Sequence, residues 1–304
     1  MGMSFDPYLA FGWSVLAGFI MSMGAGGGGI LAGIGHISVL GIGDPNMIKV
    51  VNQILEFTSR IISVPLYHRQ KRLVWPLAIS YGIGAPVGAV VGSWFSKAYL
   101  SDMSVYRPVF GVMVALVAAR VLYEGWAKSA GRNQRLQKAR ETSRRAQQDY
   151  KTQGAGNGNP AQAQAEPRMV RFGWSNIKVR FAGEEFDFNP LASAAGGFVI
   201  AFVGSTMGVG GGFLVTPFMA SVLLFPMFLV IGTSLVALMV PLMASVATYL
   251  LLQVHVDWLL VLVEVPGILV GSFIGPVLNR HMNDKALRTF VAVMLLAIGM
   301  YYFF

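Results

Sequence analysis

The sequence predicts an all-α polytopic membrane protein made of two inverted repeats. Three observations carry this: a composition too apolar for a soluble domain, a series of long apolar segments, and landmarks that recur after 183–184 residues. Each repeat is expected to hold a Gly-broken helix pair, crossing or re-entrant, plus three spanning helices. A small cytoplasmic insertion with a β-hairpin separates them.

Of 304 residues, 55% are hydrophobic and 12% are charged. A soluble domain carries about 25% charged residues, and the mean hydropathy here is +0.59. Cys is absent, which excludes disulfides, thiolate metal sites and a Cys nucleophile. The net charge of +9 would suggest nucleic acid on a soluble protein, but 12 of the 23 Lys and Arg lie between Ala127 and Pro190. Basic residues grouped at the ends of apolar segments mark cytoplasmic loops. The expected partner is therefore a lipid bilayer and not a nucleic acid.

The first repeat, 1–126, has apolar segments near 8–24, 30–43, 47–67, 74–96 and 105–126. The second, 191–304, has them near 191–207, 213–225, 228–252, 258–279 and 286–304. Segments 47–67, 74–96, 105–126, 228–252 and 258–279 approach the 20 or so residues that a spanning helix needs. The second segment of each half is too short and is expected to be broken or re-entrant.

The repeat is read from three landmarks in the same order. Met23-Gly24-Ala25-Gly26-Gly27-Gly28 matches Met207-Gly208-Val209-Gly210-Gly211-Gly212; Trp75 matches Trp258; Gly84, Gly88 and Gly92 match Gly267, Gly271 and Gly275. Loop 280–288 carries Arg280, Lys285 and Arg288, whereas its counterpart 97–104 has only Lys97 against Asp102. The positive-inside rule then points the two halves in opposite directions, each crossing an odd number of times. Both termini lack basic residues and are expected in the periplasm, with the 127–190 insertion in the cytoplasm. Within the insertion, 127–151 is basic and helix-compatible, 152–167 is low in complexity, and 168–188 alternates as a hairpin around Ala182-Gly183. The basic helix suits a place against anionic lipid.

The Gly runs are the first candidate for function. In a membrane, a Gly run unwinds a helix, and the freed backbone groups are tolerated only against protein or a cavity. Paired breaks in two halves mark the substrate site of secondary transporters. Candidate substrate-binding residues are therefore Gly24, Gly26, Gly27 and Gly28 with Gly208, Gly210, Gly211 and Gly212. Asn52-Gln53 and Thr233-Ser234 follow Pro45 and Pro226 by seven and eight residues and offer amide and hydroxyl groups beside the breaks. Their alternative use is ordinary interhelical hydrogen bonding.

Charged residues inside the apolar segments are candidates for coupling or charge compensation. Glu56 and Arg60 share a helix face, four residues apart. Arg60 suits an anion and Glu56 a proton, and a structural ion pair is the alternative. Glu264 and His36 are further candidates. The Gly84 and Gly267 rows are small-residue faces for close helix packing within the chain or across a homodimer. Gly41-Ile42-Gly43-Asp44 fits an intramembrane aspartyl protease motif, but a second intramembrane Asp is missing. No enzyme, cofactor or metal is expected.

These motifs, with Gly232-Thr233-Ser234-Leu235, Val256-Asp257-Trp258 and the run Gly208–Pro217, resemble the TauE/SafE family, also described as sulfite exporters or toluene-sulfonate-uptake permeases. The second half matches most fully; the first lacks the Pro after its Gly motif, and the long insertion is outside the pattern. The resemblance implies a bacterial inner-membrane permease for small sulfur-containing anions such as sulfite or sulfoacetate. Export by alternating access is the expected mode. An anion channel or a membrane-embedded sensor are the alternatives.

Overall fold

The computed structural model describes residues 5–23, 27–126, 138, 141, 142, 145 and 166–279, with 117–126 and 279 as backbone only. Gly24, Gly26, most of the basic segment, most of the low-complexity linker, and residues 280–304 with the basic loop 280–288 lie outside the described residues.

The first half runs α1 (Pro7–Ser22), α2 (Gly28–Ile34), a π-turn segment (Gly35–Val39), α3 (Pro45–Arg69), α4 (Trp75–Tyr99) and α5 (Met103–Trp126). Asp6 and Asp44 cap α1 and α3 by accepting from backbone N–H groups, each with Pro at the helix start. The second half runs α6 (Pro190–Met207), α7 (Gly212–Pro217), a second π-turn segment (Phe218–Val222), α8 (Met227–Ala237), α9 (Met239–Leu251) and α10 (Trp258–Asn279). Asn189 caps α6 in the same way.

Among the described residues, four helices are long and apolar enough to cross a membrane: α4, α6, the 25-residue stretch Met227–Leu251 spanning α8 and α9, and α10. Two differences from the sequence reading follow. The segment at 191–207, shorter than the usual span, forms an 18-residue helix apolar enough to qualify. The segment at 47–67 forms the 25-residue α3, but Lys49, Glu56 and Arg60 make it too polar for that class. Gly28–Val39 and Gly212–Val222 are short apolar helices; 12 residues reach only about 18 Å, against roughly 30 Å of hydrocarbon.

Packing explains the Gly rows. A Cβ on Gly84, Gly88 or Gly92 would fall on the carbonyls of Ala194, Phe198 or Phe202, so α4 lies against the backbone of α6. A Cβ on Gly267, Gly271 or Gly275 would strike Ser14, the Val15 carbonyl or Ser22, so α10 lies equally close to α1. Each half thus lends its first helix to the fourth apolar segment of the other. Both rows are engaged inside one chain. Hydroxyls tie these pairs to their neighbours: Ser272 of α10 and Ser59 of α3 have Oγ atoms 2.7 Å apart, and Ser93 of α4 and Ser245 of α9 2.5 Å.

The end of α6 shows how such a fold closes its backbone account. The last carbonyls of a helix have no intrahelical donor. Here Ser205 O accepts from Tyr249 Oη (3.0 Å), Thr206 O from Ser96 Oγ (2.7 Å) and Met207 O from Tyr106 Oη (2.9 Å). In the first half, Tyr67 Oη donates to Ser22 O at 3.1 Å, mirroring Tyr249. Tyr67→Phe and Tyr249→Phe are each expected to lose about 0.5–1.5 kcal/mol, the net worth of one hydrogen bond; Ser205 O also accepts from Gly208 N–H and Gln53 Nε2. Thermal unfolding in detergent reads the loss.

The hairpin at 168–188 has a third strand. β1 (Arg168–Arg171), β2 (Ile177–Phe181) and β3 (Glu184–Phe188) form an antiparallel sheet in that order. Its tight β2–β3 turn uses Ala182 (φ 51°) and Gly183 (φ 79°), both left-handed as such a turn requires. Ile177, Val179, Phe181, Phe186 and Phe188 are buried on one face. Phe181 stacks on Phe228, and Phe186 and Phe188 meet Phe225, so the sheet seats on the loop that starts α8.

Candidate functional site

Each Gly run interrupts a helix. α1 ends at Ser22 and α2 starts at Gly28, with Gly27 as its N-cap. α6 ends at Met207, and Gly208 (φ 70°), Gly210 (φ 60°) and Gly211 (φ 77°) carry the left-handed turn into α7 at Gly212. These conformations need glycine.

Between the two breaks sits Glu56, within one residue of the middle of α3. A Cβ on Gly29 would fall on Glu56 Oε1, and a Cβ on Gly210 would fall on Oε2. The carboxylate is thus gripped by the first-half short helix on one side and the second-half Gly turn on the other. Arg60 Nη2 lies 2.7 Å from Glu56 Oε2, and its Nη1 donates to Glu56 O at 2.7 Å. Both side chains are at most 4% exposed, and Arg60 Nε has no partner. A buried guanidinium with an open donor is equipped to receive an anion oxygen.

A cavity opens beside this pair, lined from the first half by Met21, Gly28, Gly29, Glu56 and Arg60. Gly212, Thr216, Ser234, Leu235 and Leu238 line it from the second. Its free space, about 20 Å³, compares with the 10–15 Å³ that one water needs. The free space holds one or two waters, so a larger solute requires the Glu56–Arg60 pair or a wall to move.

The remaining candidates are placed as follows. Ser234 lines the cavity and donates to Ile231 O at 2.9 Å. Thr233 does not; its hydroxyl accepts from Val74 N–H (3.0 Å) and donates to Leu229 O (2.8 Å), fastening α8 to the start of α4. Gln53 reaches Ser205 O at 3.5 Å through Nε2, and its Oε1 is unpartnered. Asn52 faces His36, whose Nδ1 is 2.7 Å from Asn52 Oδ1 and whose Nε2 is 2.9 Å from Glu264 Oε2.

Three features escaped the sequence reading. Thr216 on α7 lines the cavity. Lys49 is fully buried, donating to Leu100 O at 2.6 Å with its Nζ 4.6 Å from the Tyr106 ring centre. Arg72 is buried too, donating from Nε to Phe228 O at 2.9 Å. The signal for Lys49 was present: Lys49, Gln53, Glu56 and Arg60 recur at three- and four-residue steps along α3 and mark one polar face.

Across residues 10–302 the chain matches the family described as Sulfite exporter TauE/SafE. The chain belongs to the TauE/SafE family. It is also 25% identical over 248 residues to the "Probable membrane transporter protein YunE" of Bacillus subtilis (strain 168), covering 81% of this chain and 76% of that protein. No solved structure matches it. As a TauE/SafE member with several apolar helices, the chain is a multi-pass membrane transporter with a small-molecule substrate.

Proposed function

We propose that this TauE/SafE protein is a secondary transporter of small sulfur-containing anions, sulfite or organosulfonates such as sulfoacetate. It works by alternating access between two inverted repeats, with the short α2 and α7 segments re-entrant. The observation that carries the reading is the buried Arg60, its Nε open, at the wall of a cavity that both halves line. The substrate's oxygens would meet Arg60, Ser234 and Thr216, with the Gly28, Gly29 and Gly212 backbones allowing close approach. Glu56 would yield its hold on Arg60 as the anion enters. The exchange of α1 and α6 between the halves supports a two-fold relation of the repeats. The reading places the protein in a bacterial inner membrane, with both termini periplasmic and the insertion cytoplasmic.

Export is the favoured direction, because an inside-negative potential drives an anion outward by about 2.3 kcal/mol per charge per 100 mV. The test is thermal stabilisation of the purified protein by sulfite, sulfoacetate, taurine, thiosulfate, sulfate, acetate and chloride. A ligand at 100 times its Kd adds about 2.7 kcal/mol, or roughly 5–10 °C for a chain of this size. A selective shift with sulfite or one organosulfonate is expected. Equal shifts with every anion, or none, would remove the reading.

A further inference from the structure

We propose that His36 and Glu264 form the binding site of a coupling proton, separate from the anion cavity; the proposal rests on the transporter reading above. His36 lies in the first-half π-turn segment and Glu264 on α10 of the second half. Nε2 of the ring is 3.1 and 2.9 Å from the two Glu264 oxygens, and Nδ1 is 2.7 Å from Asn52 Oδ1. His36 and Glu264 are each 1% exposed and Asn52 is fully buried. None of the three lines the cavity beside Arg60.

The cluster is built to hold or release one proton. With Asn52 Oδ1 toward Nδ1 and the Glu264 carboxyl toward Nε2, both ring nitrogens face acceptors, the arrangement that suits the proton-loaded state. Asn52 Nδ2 has no partner. Turning the amide over presents Nδ2 as a donor to a bare Nδ1, while Nε2–H stays on Glu264. The two arrangements share the same heavy-atom positions and differ by one proton, which leaves from Nδ1. Amide orientation is set by the hydrogen-bond network and follows the proton.

The architecture does not require these charges. At the 183-residue offset of the repeat, His36 corresponds to Met219 and Glu264 to Tyr81, both buried. The fold closes the equivalent place in the other half with no His–carboxylate pair. Ionisable groups inside a membrane are costly and mark ion and proton pathways.

The pair also bridges the two halves, so rocking one against the other makes or breaks it. Of the elements packed around it, α1, α2 and the π segment contribute no charged group except His36, and α10 none except Glu264. The charged and titratable groups of α3 are Lys49, held by Leu100 O, Glu56 with Arg60, held by each other, and His68 and Arg69 in its last turn. Phe110 of α5 lies against Gly33, and Arg107 is the charged side chain of α5 among the described residues, exposed near its start.

The experiment uses full-length protein in proteoliposomes, with labelled sulfite and labelled sulfoacetate in separate runs. Two readouts are taken: accumulation driven by an imposed gradient of one pH unit, and counterflow at equal pH. One coupled proton gives about tenfold accumulation per pH unit. Wild type is expected to show both. Glu264→Gln and His36→Gln are expected to lose the accumulation and to keep counterflow within about twofold. His36→Met with Glu264→Tyr copies the other half, so it supplies a folded control should a single variant not fold, and the same split is expected of it. Gradient-driven accumulation that persists in these variants overturns the proposal, as does wild-type accumulation that does not respond to the pH gradient. Absence of wild-type counterflow for both anions removes the transporter reading and the proposal with it.

Discussion

Arg60→Gln is expected to abolish anion binding and to destabilise the protein, and the two losses are separable. The stability loss follows from Glu56. Its carboxylate is 3% exposed, and Arg60 is the cation 2.7 Å from it. Removing one partner of a buried ion pair leaves an uncompensated charge and costs about 3–5 kcal/mol. Removing both charges is often nearly neutral. Glu56→Gln combined with Arg60→Gln should therefore regain most of the lost unfolding temperature. Binding should not recover. If Arg60 holds the anion, the double variant lacks two charge-assisted hydrogen bonds, each about 1.5–3 kcal/mol, and flux falls at least about 100-fold. A double variant with wild-type stability and wild-type flux would make the pair purely structural. Measuring unfolding temperature with and without anion, beside counterflow, separates these outcomes.

How far the sequence disclosed this arrangement depended on whether a feature was local. The repeated glycines were legible, because a small-residue row at four-residue spacing has one physical use in a helix, close approach. The partners were not: the α4–α6 and α1–α10 pairings follow from how the halves wrap around each other. Glu56 and Arg60 were legible as a same-face pair on one helix. That Glu56 lies between Gly29 and Gly210 was not, since the contact joins three elements. His36 and Glu264 stood out singly, but 228 residues separate them, and no periodicity reports such a distance. Lys49 was missed because it sits one turn inside α3, where a lysine reads as an end-of-helix charge. In the fold it is buried, closing the end of α4 through Leu100 O. Asn52 and Thr233 occupy equivalent places after Pro45 and Pro226, yet one faces His36 and the other ties α8 to α4. Side-chain chemistry names what a residue can bond, and the tertiary neighbour decides what it does bond.

Gly29→Ala is the sharpest test of that three-way contact, because propensity and packing predict opposite signs. Gly29 lies within the ordinary helical conformation of α2, so alanine should gain about 1 kcal/mol of helix propensity. The added Cβ, however, would fall on Glu56 Oε1 and stand 2.8 Å from Val209 O. Neither can retreat freely: the carboxylate is backed by Gly210, and the Val209 carbonyl belongs to the Gly turn. The packing effect is therefore expected to win, with a loss of several kcal/mol and no measurable flux. Shortening residue 56 isolates the carboxylate's share. In an Arg60→Met background, which leaves no unpaired cation, Gly29→Ala should be far better tolerated when Glu56 is alanine than when it is glutamine. Contacting residues couple by 0.5–3 kcal/mol, and a value near about 2 kcal/mol or above is expected here. Gly210→Ala is the contrasting case. Its φ of 60° is left-handed, which costs a non-glycine residue about 1–2 kcal/mol wherever residue 56 ends. Shortening Glu56 should then recover only the clash and leave the strain. Additive losses for Gly29→Ala and Glu56→Ala would place the carboxylate outside the grip of the two breaks. A strong coupling would show that both halves meet on this one side chain, at the point where an entering anion must displace it.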